Sequence, residues 1–270
     1  MKLGYISDLH IDINRLRGKV DIIESLIDVC TELRLDALCI GGDVTNHYEL
    51  TLETLYFLED NLQFPVYFIP GNHDLWNEST PEIDTWQIYQ QLQKYRHNLA
   101  NGPQALTDDW VLIGDVGWYD FSFRSDKYSE EKLREMKFKG RTWRDKELTS
   151  WTEDPASIHR YFLEKIERQL IENQSKNIVL CTHVVPNRHF IVPTPHRVWD
   201  YYNAFLGSEE YGVLAQKYKV AYMLCGHVHF RKKVIQDGTT FLCSCLGYLN
   251  QWREKETKRE IRHAITKIIL

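Results

Sequence analysis

The run Val220-Ala221-Tyr222-Met223-Leu224-Cys225-Gly226-His227-Val228-His229 decides the fold of this chain. Six apolar residues form a short strand, a glycine ends it, and two histidines one residue apart follow. In an extended chain, alternate side chains share a face, so both imidazoles point the same way. Imidazole is the commonest metal-binding side chain. Four other stretches repeat the design: Lys2-Leu3-Gly4-Tyr5-Ile6-Ser7-Asp8-Leu9-His10, Asp36-Ala37-Leu38-Cys39-Ile40-Gly41-Gly42-Asp43, Pro65-Val66-Tyr67-Phe68-Ile69-Pro70-Gly71-Asn72-His73-Asp74 and Asn177-Ile178-Val179-Leu180-Cys181-Thr182-His183. Each is a buried-looking strand that runs into a carboxylate, amide or imidazole. Open α/β sheets hold ligands outside the carboxyl ends of their strands. Five such strands bring Asp8, His10, Asp43, Asn72, His183, His227 and His229 to one rim, a donor set sufficient for two metal ions.

The connections between these strands read as helices. Asp21 with Glu24 three residues later resembles a capping box, and Ile22, Ile23, Leu26, Ile27, Cys30 and Leu33 recur at helical spacing. A second amphipathic helix spans Leu50–Asp60. Ser79-Thr80-Pro81 predicts the start of a third, with a hydroxyl cap and proline at the first helical position. Asp154-Pro155 opens a long helix, and Asp237-Gly238 marks a hairpin between 232–236 and 239–243. Strand alternating with helix predicts a parallel sheet with right-handed crossovers. The last residues, 264–270, read as an edge strand.

Two segments break the pattern. Residues 117–152 are aromatic and then charged. They read either as a cap beside the site or as a solvated loop whose aromatics pack down on the body. Residues 184–209 follow His183 directly and read as a wall of the site. Trp76, Trp118, Tyr119, Arg124, Arg188, Trp199 and Tyr202 are the candidates for substrate contact. Neither repeats nor an interdomain linker interrupt residues 1–270, which predicts one domain with these two insertions.

Composition narrows the function classes. With 43% hydrophobic residues, 270 residues build a sizeable core. A net charge of −5 leaves no general basic excess for a nucleic-acid backbone. The six cysteines lie in strand-like runs or, for Cys30, on a helix face, without CxxC spacing. They read as small buried hydrophobes in a reducing compartment. No charged leader with an apolar core opens the sequence and no run of about 18 apolar residues occurs. The cytoplasm and a site away from membranes are the expectation.

Asp-x-His, Gly-Gly-Asp, Gly-Asn-His-Asp, Thr-His and Gly-His-x-His, in this order from residue 8 to residue 229, resemble the motifs of the calcineurin-like metallophosphoesterases. The resemblance implies a two-sheet α/β sandwich flanked by helices. It implies that Asp8, His10 and His229 hold one metal, that Asn72, His183 and His227 hold the other, and that Asp43 bridges the two. It further implies that His73 contacts the phosphate and protonates the leaving oxygen, with Asp74 orienting His73. The segments 117–152 and 184–209 lie outside the resemblance. Val184 follows His183 where phosphodiesterase members carry a second histidine, which weighs against a cyclic nucleotide as substrate.

The chemistry agrees with that assignment. Two cations ~3.5–4 Å apart share a carboxylate and lower the pKa of bound water toward about 7. Mixed oxygen and nitrogen donors suit Mn, Fe or Zn among the transition metals. The expected activity is hydrolysis of a small phosphomonoester or phosphodiester by hydroxide held between the metals. Two alternatives stand beside it: a nuclease of the same superfamily, which the acidic charge disfavours, and a non-catalytic scaffold, which the complete donor set disfavours.

Overall fold

The computed structural model describes residues 1–18 and 20–270. The chain begins with β1 (Lys2–Ile6), a short α1 (Ile11–Arg17), α2 (Ile22–Leu33), β2 (Ala37–Ile40), α3 (Tyr48–Leu62) and β3 (Val66–Phe68). Helix α4 (Thr85–Leu92) and the short β4 (Gln104–Ala105) then lead to β5 (Trp110–Asp115). Small elements follow: α5 (Glu130–Arg134), the ribbon β6 (Lys137–Phe138) and β7 (Arg141–Thr142), and α6 (Asp145–Leu148). The regular alternation resumes with α7 (Pro155–Glu172), β8 (Asn177–Thr182), α8 (Trp199–Tyr202), α9 (Glu209–Lys217) and β9 (Tyr222–Cys225). The chain closes with β10 (Arg231–Gln236), β11 (Thr239–Ser244), α10 (Thr257–Ala264) and β12 (Thr266–Ile269).

These elements form a two-sheet α/β sandwich. One sheet has the order β12-β1-β2-β3 and the other β10-β11-β9-β8-β5-β4. Strands β1, β2 and β3 are parallel, as are β5, β8, β9 and β11, while β12, β10 and β4 are antiparallel edges. Alternation along each strand then assigns the layers. Leu3, Tyr5, Cys39 and Tyr67 from the first sheet face Leu112, Val179, Cys181 and Leu224 from the second across the middle of the sandwich. The opposite faces, Leu38, Ile40 and Phe68 on one sheet and Ile113, Leu180 and Met223 on the other, are covered by helices. Both faces of the parallel strands are buried, so their sequences are continuous apolar runs rather than alternating ones. The sheets meet at their carboxyl ends through a parallel bridge between Ser7 and Cys245.

Local chemistry sets the helix ends. Asp21 caps α2 by accepting from the Glu24 N–H at 3.0 Å. Asp154 caps α7 and Pro155 occupies its first turn, where a missing N–H costs nothing. The third helix starts later than Ser79-Thr80-Pro81 predicts. Asp84 accepts from the Gln87 N–H and the Gln87 side chain accepts from the Asp84 N–H, both at 2.8 Å. This reciprocal box satisfies two donors that a lone hydroxyl cap leaves to water. Helix α10 is carried by a different pattern: its charged residues pair with α2, as Lys258 does with Asp28 and Glu32 at 2.8 Å.

The two irregular segments pack on each other. The Tyr202 hydroxyl donates to the carbonyls of Arg141 (2.6 Å) and Phe138 (3.2 Å), and that of Tyr201 to Lys132 (2.8 Å). Phe138 and Tyr201 stack at 4.9 Å. The aromatic residues of 117–152 thus share one layer with 184–209, while the charged residues between them, such as Arg124, Glu131 and Lys139, are exposed.

Cys181 lies in the layer between the sheets, fully buried. Cys181→Ala is expected to lower stability by about 1 kcal/mol through a small cavity, with metal content unchanged. Chemical denaturation and elemental analysis of the same preparation check both halves.

Candidate metal centre

The carboxyl ends of β1, β2, β3, β8 and β9 converge, and two carboxylates hold their loops. Asp74 is fully buried. It accepts from the N–H groups of Asp43 (2.7 Å), Gly71 (2.8 Å), Val44 (3.0 Å) and Thr45 (3.3 Å) and from the Thr51 hydroxyl (2.8 Å). It thereby ties the loop after β2 to the loop after β3. Burial and the nearby Asp43 charge push its pKa up to about 7, which those donors oppose. Asp8 accepts from the His227 N–H at 3.0 and 3.1 Å and ties the loop after β9 to the end of β1. The loops approach so closely that a Cβ on Gly226 would lie 2.7 Å from Asp8 Oδ2, and one on Gly71 would collide with Asp43.

The backbone is strained where the donors sit. Asp8, His10, Asp43, His227 and His229 have φ of 56°, 43°, 55°, 71° and 54°. A non-glycine residue in this left-handed region costs roughly 1–2 kcal/mol, and such residues gather at functional sites.

One ring nitrogen of each of three histidines faces an oxygen outside the centre. His183 Nδ1–H donates to the Gly41 carbonyl (2.8 Å), His229 Nδ1–H to Gln251 Oε1 (2.8 Å) and His227 Nε2–H to the Phe205 carbonyl (3.3 Å). The opposite nitrogen of each ring points to the centre, the placement that metal-ligating histidines have. His10 Nδ1 is buried without a partner.

The donor atoms form two groups sharing one carboxylate. Asp8, His10 and His229 make the first, and Asp43, His183 and His227 the second, while Asp43 also stands beside His10 and His73. In the first group His10 Nε2 and His229 Nε2 are 3.0 Å apart and His229 Nε2 is 3.5 Å from Asp8 Oδ1. In the second, Asn72 Oδ1 lies 3.0 Å from His183 Nε2 and 2.9 Å from His227 Nδ1. Asp43 Oδ2 stands 3.3 Å from His183 Nε2 and 3.7 Å from His10 Nε2. Ligands bound at ~2.0–2.2 Å around one ion lie roughly 3.0–3.5 Å from each other, so this donor set fits two metal ions. The electrostatics ask for them. Burial and neighbouring imidazoles push His10 down and His227 down to about 3, keeping their lone pairs free. Burial also acts against charge on His183, but Asp43 outweighs it and raises His183 to about 10. A carboxylate ringed by imidazoles needs positive charge, which a cation supplies better than a proton.

His73 stands at the rim with Nε2 3.9 Å from Asp43 Oδ2. Its Nδ1 is 2.8 Å from Asn46 Oδ1, and its ring lies on Trp76 at 3.6 Å. Asn46, not Asp74, therefore orients His73; the Asp74 carboxylate is engaged by loop N–H groups and by the Thr51 hydroxyl of α3. Asp145, delivered by α6, forms the adjoining wall. Its Oδ1 accepts from Asn72 Nδ2 (2.7 Å) and Trp76 Nε1 (2.9 Å), and its Oδ2 from Trp143 Nε1 (2.9 Å). This fixes the Asn72 amide with its oxygen toward the histidines. A cavity of about 570 Å³ opens from this rim, walled by Trp76, Trp143, Trp199, Leu206, Phe230 and Tyr248.

Of the residues that the sequence analysis singled out, the structure brings the seven donors and His73 together, with Trp76 and Trp199 in the cavity wall. The other candidates for substrate contact lie elsewhere, which corrects those expectations. Trp118 and Tyr119 are buried in the core and stacked on each other at 4.9 Å. Arg124 is exposed beside the Phe121 carbonyl. Arg188 pairs with Glu209 at 2.6 Å and donates to the Ser122 carbonyl. The Tyr202 hydroxyl is occupied by the 117–152 segment. Asn46, Trp143, Asp145 and Tyr248 were not foreseen. Asn46 lies three residues beyond Asp43, but no local pattern marks Asp145.

The chain belongs to the calcineurin-like phosphoesterase family, whose model matches residues 1–231. It is 28% identical over 131 residues to a probable cyclic nucleotide phosphodiesterase of Pseudoalteromonas sp. (strain SM9913), a match covering 44% of this chain and 46% of that protein. The chain thus aligns with about half the length of that relative. Its fold is similar to the phosphopantetheinyl hydrolase of Mycobacterium tuberculosis, with a TM-score of 0.76, 17% identity and coverage of 99% of this chain and 95% of that one. It is also similar to a dimetal phosphatase of Danio rerio, with a TM-score of 0.56, 12% identity and coverage of 90% and 86%. Among the described residues no helix is long and apolar enough to cross a membrane.

Asp74→Ala leaves buried N–H groups of both loops without an acceptor. At about 1–3 kcal/mol for each buried donor left unpaired, it is expected to lower stability by about 3 kcal/mol or more, seen as a lower urea midpoint, with weakened metal binding. A variant as stable as the wild type that loses only activity would return Asp74 to the role of orienting His73.

Proposed function

We propose that this phosphoesterase hydrolyses a small phosphorylated substrate with two transition-metal ions, of the class Mn, Fe or Zn, bound at the seven-residue centre. The observation that carries the reading is the pair of donor groups sharing Asp43. When bound, such ions supply Lewis acidity toward phosphoryl oxygens and hydroxide at neutral pH. Asp8, His10, His229 and Asp43 would hold one ion, and Asp43, Asn72, His183 and His227 the other.

The chain's own groups supply the rest. His73 presents Nε2 toward the cavity while Asn46 accepts from its Nδ1–H. In the imidazolium form it donates a proton to the leaving oxygen; in either form it helps to orient the phosphoryl group. Burial lowers its pKa, and Asp43 and Asp145 oppose that shift. Trp76 lies on the ring and limits its rotation. The aromatic wall beyond the rim receives the organic part of the substrate and excludes water from it.

Purified protein is expected to contain close to two transition-metal ions per chain. Chelation should abolish hydrolysis of an aryl phosphate and Mn should restore it. Cyclic nucleotides and a phosphopantetheinyl ester belong in the substrate panel, since the relatives are named for them. Protein that takes up no metal and shows no turnover with Mn refutes the proposal.

His73→Gln is expected to keep both ions and the fold while losing rate by about 10²–10⁴-fold, the usual contribution of general acid–base catalysis. The loss should be largest for alkyl leaving groups and smallest for nitrophenyl ones, which depart without protonation. Steady-state rates on the two series, with metal content measured alongside, check this.

A further inference from the structure

A second cleft adjoins the aromatic cavity at the metal rim. The two share His229, Phe230 and Gln251, so a molecule seated at the centre can reach into both. The cleft holds about 250 Å³, less than the roughly 300–1,000 Å³ of a complete small-molecule site. It suits one group of a ligand rather than a whole ligand.

Its lining differs in kind from that of the aromatic cavity. There, among the described residues, Arg144 is the one arginine or lysine, and it stands 3.6 Å from Glu78. The second cleft sets Arg231, Lys232 and Arg253 against a single carboxylate, Glu260. Glu260 is fully buried on α10 and already satisfied. Its Oε1 pairs with Arg231, and its Oε2 accepts from the N–H groups of Glu254 at 2.8 Å and Arg253 at 3.1 Å. Arg231 is committed in turn, donating from Nε to the Cys245 carbonyl at 3.0 Å and from Nη2 to the Leu246 carbonyl at 3.4 Å. The pair cancels in charge and fixes the backbone that carries Arg253.

Lys232 and Arg253 remain, both exposed. Among the described residues, Arg231–Glu260 is the one pair between an arginine or lysine of the cleft and a carboxylate. Lys232 Nζ donates to the His189 carbonyl at 2.5 Å, a neutral partner that leaves its charge uncompensated. In a chain of net charge −5, two unpaired cations in one concave cleft attract an anion. Gln251 adds a neutral donor. Its Oε1 stands 2.8 Å from His229 Nδ1 and accepts from the Tyr248 N–H at 2.8 Å, which leaves the Nε2 hydrogens for a ligand.

We propose that this cleft is a second anion subsite: the substrate is a phosphoester carrying a further anionic group, phosphate or carboxylate, which Lys232 and Arg253 hold while the reacting phosphoryl group meets the metal ions. The placing of the reacting group rests on the hydrolase reading given above; the subsite is read by binding alone.

The test titrates metal-loaded protein calorimetrically with three series of increasing chain length: alkane-α,ω-bisphosphonates, ω-phosphonocarboxylates and the matching alkylphosphonates. None has an ester bond to hydrolyse. At least one doubly anionic compound is expected to bind about tenfold more tightly than the alkylphosphonate of its length, the scale of one hydrogen bond to a charged group. The tighter of the two series tells phosphate from carboxylate. Lys232→Gln and Arg253→Gln, with two ions confirmed by elemental analysis, are each expected to cut that gain roughly threefold, and the double variant to abolish it. Lys233→Gln is the control. Lys233 is exposed one residue along β10, and alternation turns it to the other face of the strand. The absence of a gain at any length in the wild type overturns the proposal. A gain that survives in the double variant does so too, because both anionic ends then lie at the metals. An equal loss in Lys233→Gln also overturns it, because surface charge as a whole is then acting. Protein that binds its ions but hydrolyses neither p-nitrophenyl phosphate nor bis(p-nitrophenyl) phosphate ends the hydrolase reading, and the affinity gain still decides whether the cleft takes an anion.

Discussion

The buried carboxylate of Asp74 is the interaction on which the site depends. Two loops, one after β2 and one after β3, must lie against each other for Asp43 and Asn72 to face the same point. Neither loop has a strand partner for its N–H groups there. Asp74 accepts from four of them and from the Thr51 hydroxyl, which settles the donors of both loops with one side chain. Glycines at 42 and 71 let the backbones come close enough. The cost of burying a charge is met by the number of donors aimed at it.

Asp43 shows what that scaffold achieves. Its backbone N–H is held by Asp74, its Oδ1 accepts from the His73 N–H at 2.9 Å, and its Oδ2 is left among imidazoles. Of these imidazoles His183 stands nearest, with its Nε2 3.3 Å from Asp43 Oδ2. His183, His227 and His229 are likewise committed on one nitrogen and free on the other. The site is thus assembled with imidazole nitrogens and carboxylate oxygens facing inward. The left-handed backbones of five of the seven donor residues add to the cost, and the packed sandwich around them supplies the stability that tolerates it.

The segments outside the five strand ends wall the approach to the donor residues. Residues 117–152 and 184–209 interlock through Tyr201 and Tyr202, and together they deliver Trp143, Asp145, Trp199 and Leu206 to one cleft. Asp145 couples this wall to the centre, because the carboxylate that receives both indoles also orients Asn72. A change in these segments therefore reaches the donor residues through the Asn72–Asp145 bond of 2.7 Å and through the Phe205 carbonyl beside His227 at 3.3 Å.

The sequence by itself determined the main strands and which polar residues stand at their carboxyl ends. A buried parallel strand must be apolar on both faces, and the first polar residue past its end is placed by the strand itself. Asp8, His10, Asp43, Asn72, His183, His227 and His229 were legible for that reason, as were the hairpin at Asp237-Gly238 and the cap at Asp21. The tertiary structure decided everything that links distant residues. Asp74 precedes no signal that it bonds Asp43 rather than His73. Asp145 meets Asn72 across 73 positions of chain. Trp118 and Trp199 are the same residue type in equally irregular stretches, yet one fills the core and the other walls the cavity. Residue type sets how much surface an aromatic ring gains by leaving water; only the packed fold determines whether a neighbouring helix or an open cleft covers it.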